Sequence, residues 1–321
     1  MTVGIEGISI ELGTETLSNK ELSVQLGIKD DNELEKRTGV RIRRIAGRSD
    51  NAVTMAKRAA KKLFKNFGLK PKDFDGLIFC SQSPVKNIPG NASILHGELN
   101  LNQNSMAFDI NLACSGYVYG LEIARSLVES STCSRILFIT SDTYTRFLHP
   151  KDRSTRGIFG EGATATAISA KKIKYEIVKS KLYTDGKKYK MFEACLDTSS
   201  GEITTNKIKM NGLGVLSFFN SVVPKAVTTS LDSLKILQSD VDLFIFHQAS
   251  KLALDSLQAI LKIPSDKFFV NISDKGNLVS SSIPVALADV ISSEDYNDAK
   301  NIMLVGFGVG LSWGTVLLRK V

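Results

Sequence analysis

Two stretches of this 321-residue chain repeat one another. KDFDGLIFCSQSP begins at Lys72 and SDVDLFIFHQASK at Ser239; superimposed, Asp73 meets Asp240, Asp75 meets Asp242, Ile78 meets Ile245 and Phe79 meets Phe246, all at an offset of 167. Farther on, SRILFITSD from Ser134 pairs with KNIMLVGFG from Lys300 at an offset of 166. Each copy of the first stretch follows a helical pattern, AVTMAKRAAKKLFKNFGL in one case and VVPKAVTTSLDSLKIL in the other. Helix, strand, helix, strand thus recurs half a chain later. Such an ordered series predicts two similar α/β halves, 1–170 and 171–321. The strands are short and apolar throughout, which suits sheets covered by helices on both faces. No Pro-rich linker separates the halves, so they are expected to share one interface.

A duplicated α/β unit places its chemistry at strand ends facing the shared crevice. There the first copy carries Cys80 and the second His247. A second cysteine has a more telling setting. In FDINLACSGYVYGLEIARSL, Cys114 lies between SMAFDIN, which reads as a strand, and SGYVYGLEIARSLVES, which reads as a helix. A strand-to-helix turn offers unpaired N–H groups and the positive end of the helix dipole. Both favour a thiolate, the nucleophilic form of cysteine. Ala113, Ser115 and Gly116 leave room for a carbonyl to approach. The competing reading is a small buried hydrophobe, which suffices for Cys80, Cys133 and Cys195. His247 at a strand end and Asn277 in a polar turn each have a packing or turn-geometry reading of their own. Spacing alone does not join them to Cys114.

Other classes are excluded more simply. The four cysteines and three histidines are scattered, with no C-x-x-C pair, so neither a metal site nor a redox motif is expected. The longest apolar run, Ile302 to Leu311, is too short to span a bilayer, and MTVGIEGISIELG is not a signal peptide. A cytoplasmic protein is expected. The glycine run VGFGVGLSWGT fails the dinucleotide pattern, since Leu311 stands where a third glycine belongs and a strand follows. It reads instead as a tight turn whose backbone N–H approaches a reacting carbonyl. The formal net charge is +8. Lys57, Arg58, Lys61, Lys62 and Lys65 share one helix face, read first as solvated and second as a dock for an acidic partner. No aromatic–basic interleaving points to nucleic acid.

Taken together, FDINLACSGYVYGL, FHQASK, KGNLVSSSIPVAL and GFGVGLSWGTVLLR resemble the β-ketoacyl-acyl-carrier-protein synthase III family of the thiolase superfamily. So do RTGVRIRRIA, DRSTRGIFGEGATATAIS and IKMNGLGVL, in family order along nearly the whole chain. The resemblance implies a thiolase-like duplicated α/β fold in five αβαβα layers and a homodimer. It implies that Cys114 is acylated by a primer thioester. His247 and Asn277 would hydrogen-bond the carbonyl of malonyl-acyl-carrier protein as it loses carbon dioxide, and the N–H groups of Cys114 and Gly308 would hold the acyl oxyanion. Arg37, Arg153 and Phe307 would contact substrate, Ile88 would gate the partner's primer pocket, and Lys251 would meet the carrier. No metal or redox cofactor is implied; acyl-coenzyme A or acyl-phosphopantetheine is substrate.

Three departures qualify this picture. Glu33 replaces the tryptophan that stacks on the coenzyme A adenine in primer-condensing relatives, and favours a carrier-borne primer. Ile88 replaces a phenylalanine gate, which suits a longer or branched acyl chain. Val309 replaces a glycine and is expected to narrow the pocket. The rival readings are an acyltransferase that does not decarboxylate and a catalytically idle carrier-binding subunit. The complete set of Cys114, His247 and Asn277 speaks against the second.

Overall fold

The computed structural model describes residues 1–194, 196–197, 204–205 and 207–321; Cys195 lies outside the described residues. Ten strands form the main sheet: β1 (Gly4–Leu12), β2 (Gly76–Cys80), β3 (Met106–Ile110), β4 (Arg135–Asp142), β5 (Gly162–Ser169), β6 (Tyr175–Thr184), β7 (Leu243–Phe246), β8 (Phe268–Phe269), β9 (Asn301–Gly308) and β10 (Ser312–Lys320). The helices are α1 (Asn19–Leu26), α2 (Asn32–Thr38), α3 (Ala52–Phe67), α4 (Asn91–Glu98), α5 (Gly116–Glu129), α6 (Gly212–Leu234), α7 (Lys251–Leu261) and α8 (Ser282–Ser292).

Strand order is β8-β7-β9-β10-β6-β1-β5-β4-β2-β3, which reads the same from either end once each strand is replaced by its repeat equivalent. β2 runs parallel to β3 and β4, and β7 runs parallel to β8 and β9; the remaining neighbours are antiparallel. At the centre β1 and β6 pair through only two residue pairs, Gly4 with Glu176 and Ile5 with Tyr175. Both chain ends reach this seam: the Ile177 N–H donates to Val3, and the Val321 N–H donates to Lys174.

The repeated aspartates have matching duties. Asp75 accepts from the backbone of Ser134 and Arg135; Asp242 accepts from that of Lys300 and Asn301. Each fastens the start of one strand to the start of its parallel neighbour. One residue pair earlier, Asp73 accepts from Lys70 N–H and Asp240 from Leu237 N–H, closing the turn before each strand.

Burial follows the pleat. Leu77, Phe79, Leu137 and Ile139 face α3 and α4, while Ile78, Ile136 and Phe138 face α5 and α8. In the second half, Phe244, Phe246, Met303 and Val305 face α6 and α7, while Leu243, Ile245, Ile302 and Leu304 meet α5 and α8 from the other side. The result is five layers, α3/α4, strands, α5/α8, strands, α6/α7: the thiolase-like duplicated α/β fold. Each such Leu, Ile or Phe contributes roughly 1.5–3 kcal/mol by leaving water. The two middle helices, buried between the two halves of the sheet, follow directly on the segments that carry Cys114 and Asn277.

Candidate active site

Cys114 sits just ahead of α5, and its thiol is buried at 4% exposure. Two glycines make its position possible. A Cβ on Gly116 would lie 2.2 Å from the Cys80 sulfur, and one on Gly308 would lie 2.7 Å from the Cys114 Cβ and 3.4 Å from its sulfur. Only a hydrogen side chain at Gly308 lets the end of β9 pass this close to the nucleophile candidate.

His247 follows β7 and is 2% exposed. Its backbone N–H donates to Val305, which fixes it beside β9, and Phe307 packs edge-on against its ring at 5.4 Å. Asn277 is held by its backbone: its N–H donates to Ile158 and its carbonyl accepts from Gly160. Its side-chain oxygen accepts from the Val279 N–H at 2.9 Å and from the Ser282 hydroxyl at 3.3 Å. That leaves the amide nitrogen aimed at the histidine, 3.3 Å from its Nε2. The turn that does this is strained. Val279 has φ +55°, a left-handed conformation that costs a β-branched side chain about 1–3 kcal/mol.

These residues share one cavity of about 320 Å3, lined by Cys114, His247, Asn277, Phe307 and Gly308 at its floor. Arg37, Leu213 and Leu252 stand at its mouth; the two leucines are 79% and 54% exposed.

The electrostatics overturn one expectation. The surroundings of the helix start work against a Cys114 thiolate. Burial, the largest effect, pushes the thiol up, and the nearby Asp142 charge pushes it further, while the Cys114 N–H pulls weakly the other way. Burial likewise pushes His247 down to about 3. Both shifts favour the neutral forms, a thiol and an imidazole. The dipole loses because desolvation of a fully enclosed anion outweighs the few tenths to one kcal/mol a helix start supplies at a surface.

The comparisons with known proteins agree with this architecture. Residues 108–186 match the family model 3-oxoacyl-[acyl-carrier-protein] synthase III, and residues 231–320 match its C-terminal model. A β-ketoacyl-[acyl-carrier-protein] synthase III of Clostridium perfringens is 32% identical over 90% of this chain and 90% of its own. One from Caldanaerobacter subterraneus is 31% identical over 99% and 98%. The crystal structure of the Pseudomonas aeruginosa 3-oxoacyl-(acyl carrier protein) synthase III superimposes with a TM-score of 0.92 at 30% identity, covering 100% of this chain and 98% of that one. The chain belongs to the synthase III family.

Not every residue picked out for this synthase III site stands in the cavity. Arg153 lies outside its lining. The guanidinium donates to the Leu26 and Gly27 carbonyls at 2.9–3.2 Å, closing the C-terminal end of α1, where a cation is favoured. Ile88 is 86% exposed and lines neither this cavity nor the adjoining one that Lys86 and Asn87 help to line. Lys251 opens α7 next to the mouth but is paired with Asp255 at 2.6 Å. Gly39, with φ +76°, brings the end of α2 against it; a Cβ there would meet that of Lys251 at 2.7 Å. Glu33 is exposed on α2. On the α3 face, Lys57 pairs with Glu98, Arg58 with Glu11 and Asp50, and Lys62 with Glu11, which favours the solvated-face reading. Val309 is absent from the lining of the main cavity. It lines an adjoining one of about 580 Å3 with Tyr144, Phe147 and Phe192, the last shared by both cavities.

Sequence reasoning missed Asp142. It ends β4 fully buried, and burial raises it to about 6. Only the repeat itself could have pointed to it, because at the offset of 166 it corresponds to Gly308.

Proposed function

We propose that this synthase III family member catalyses a decarboxylative Claisen condensation through acyl-Cys114, in fatty-acid or specialised lipid and polyketide synthesis. The convergence of Cys114, His247 and Asn277 in one cavity carries this reading. In the first half-reaction the Cys114 sulfur attacks the carbonyl of a primer thioester. The S–acyl bond to Cys114 forms, the bond to the carrier sulfur breaks, and the thiol proton ends on the departing thiol. The tetrahedral oxyanion accepts from the N–H groups of Cys114 and Gly308.

In the second half-reaction a malonyl thioester loses carbon dioxide. The electron pair of the broken C–C bond becomes an enolate, whose oxygen accepts from a neutral His247 N–H and from the Asn277 amide. A neutral imidazole suits this task, because it donates a hydrogen bond without transferring its proton. The enolate carbon attacks acyl-Cys114, a C–C bond forms, the C–S bond breaks, and the departing thiolate takes a proton from water. Loss of carbon dioxide supplies the driving force, and the steps balance without a metal or redox cofactor. The reaction site lies between the repeats 1–170 and 171–321, which we read as halves of one catalytic unit.

The primer arrives on coenzyme A or on an acyl carrier protein, and the mouth favours the carrier. Glu33 repels a phosphorylated nucleotide, while Arg37, Lys251 and the exposed leucines suit an acidic partner with an apolar contact. The acyl chain enters the adjoining cavity beside Tyr144 and Val309. β3 is an edge strand with Met106 37% exposed, and pairing two copies along it makes a homodimer in which each Ile88 reaches the other's acyl cavity.

The test is mass spectrometry after incubation with acetyl-coenzyme A, longer acyl-coenzyme A and acyl-carrier protein, then carbon dioxide release from malonyl thioester. An acyl adduct on Cys114 with release supports the reading. An adduct without release leaves an acyltransferase that does not decarboxylate. No adduct from any donor returns the protein to an idle subunit.

A further inference from the structure

The repeat that organises the fold also relates two contacts at its centre. Adding the offset of 166 takes Cys114 to Ser280, and subtracting it takes Gly308 to Asp142. The approach of Gly308 to the nucleophile is thus mirrored by the approach of Asp142 to the serine at the equivalent elbow. In this mirrored contact, however, the strand end, which belongs to the first copy, carries a carboxylate rather than a bare backbone. One of its oxygens accepts from the Gln82 N–H at 2.8 Å, the Ser83 hydroxyl at 3.0 Å and the Ser81 hydroxyl at 3.3 Å. The other accepts from the Ser280 hydroxyl and, at 3.4 Å, from its N–H.

Ser280 is one residue beyond the left-handed Val279, whose N–H holds the Asn277 side-chain oxygen. A valine keeps such a conformation only where its neighbours over-determine it. On one side that neighbour is Asn277; on the other it is Ser280, fixed by a buried carboxylate.

We propose that Asp142 is a positioning residue for the decarboxylation half-reaction: it anchors Ser280, and through the Val279 turn it keeps the Asn277 amide aimed into the cavity. The inference rests on the condensation reading above. It assigns the second elbow a duty of its own: where the first copy presents a nucleophile, the second presents the mount for an enolate donor.

The two half-reactions separate the outcomes. In Asp142→Asn, carbon dioxide release from malonyl thioester is expected to fall roughly tenfold or more, the scale of one misplaced hydrogen bond. Acylation of Cys114 is expected to hold or rise, since a carboxylate has left the sulfur's surroundings. Ser280→Ala should show the same split more mildly. It decides the matter alone if Asp142→Asn does not fold. Val279→Gly added to Asp142→Asn should recover much of the lost decarboxylation, because glycine takes the left-handed conformation without an anchor. Parallel loss of both half-reactions in Ser280→Ala, or undiminished release in Asp142→Asn, would overturn the inference and leave the condensation reading standing. A wild-type protein that acylates but releases no carbon dioxide would overturn both.

Discussion

Burial is the largest effect favouring the neutral form of both Cys114 and His247, and each yields a measurable pH dependence. With the thiol pushed up, alkylation of Cys114 by iodoacetamide should be slow at pH 7 and still accelerating at pH 9. A plateau below pH 8 would mean a thiolate is held after all. For His247 the folded pKa is lowered from 6.5 to about 3. Its contribution to stability is whole above pH 6.5 and is lost as pH falls towards 3. Asp142, raised from 3.8 to about 6, contributes in the opposite sense, most below pH 3.8 and least above 6. Comparison with His247→Gln isolates the ring. Between pH 7 and 4.5 the wild type should lose about 2–3 kcal/mol more in urea unfolding than the variant. Equal losses would show that the imidazole titrates as if solvated. Asn277→Asp should suppress carbon dioxide release more than acylation, since it exchanges an enolate donor for a charge that repels one.

At the scale of elements, the site is a set of chain segments brought closer than side chains ordinarily permit. Gly308→Ala puts a methyl 2.7 Å from the Cys114 Cβ. Overpacking of this kind costs about 1–3 kcal/mol of stability. A displacement of the sulfur by a fraction of an ångström lowers acylation by up to roughly 100-fold. An alanine variant that acylates at the wild-type rate would show that β9 does not set the sulfur's place. Much of this was legible in the sequence. The strand before Cys114, the helix after it and the hairpin at Gly308 each follow from a local pattern, and the family motifs single out Cys114, His247 and Asn277. What was not legible depends on partners far along the chain. Arg153 reads as a cation near substrate until the α1 carbonyls are seen around it. A helix start reads as a thiolate site until the depth of burial is known. Asp142 reads as the polar end of a strand until Ser280 is found facing it.

Across the whole molecule, duplication predicts matched energetics. Asp75 and Asp242 each satisfy two backbone N–H groups at equivalent strand starts, so Asp75→Ala and Asp242→Ala should each cost about 1–3 kcal/mol in urea unfolding. Being in different halves and sharing no partner, the two losses should add. Strongly unequal losses would mean that one copy has taken over the stability of the pair. The seam between the copies has a different consequence. Because residues near 3, 174–177 and 321 gather there, the order of the two copies along the chain is not demanded by their packing. A circular permutant with the present ends bridged by a short linker and new ends opened at the exposed Lys171–Lys172 should fold and condense substrates as the parent does. The polypeptide would then be read from its second paragraph to its first, with the meaning unchanged.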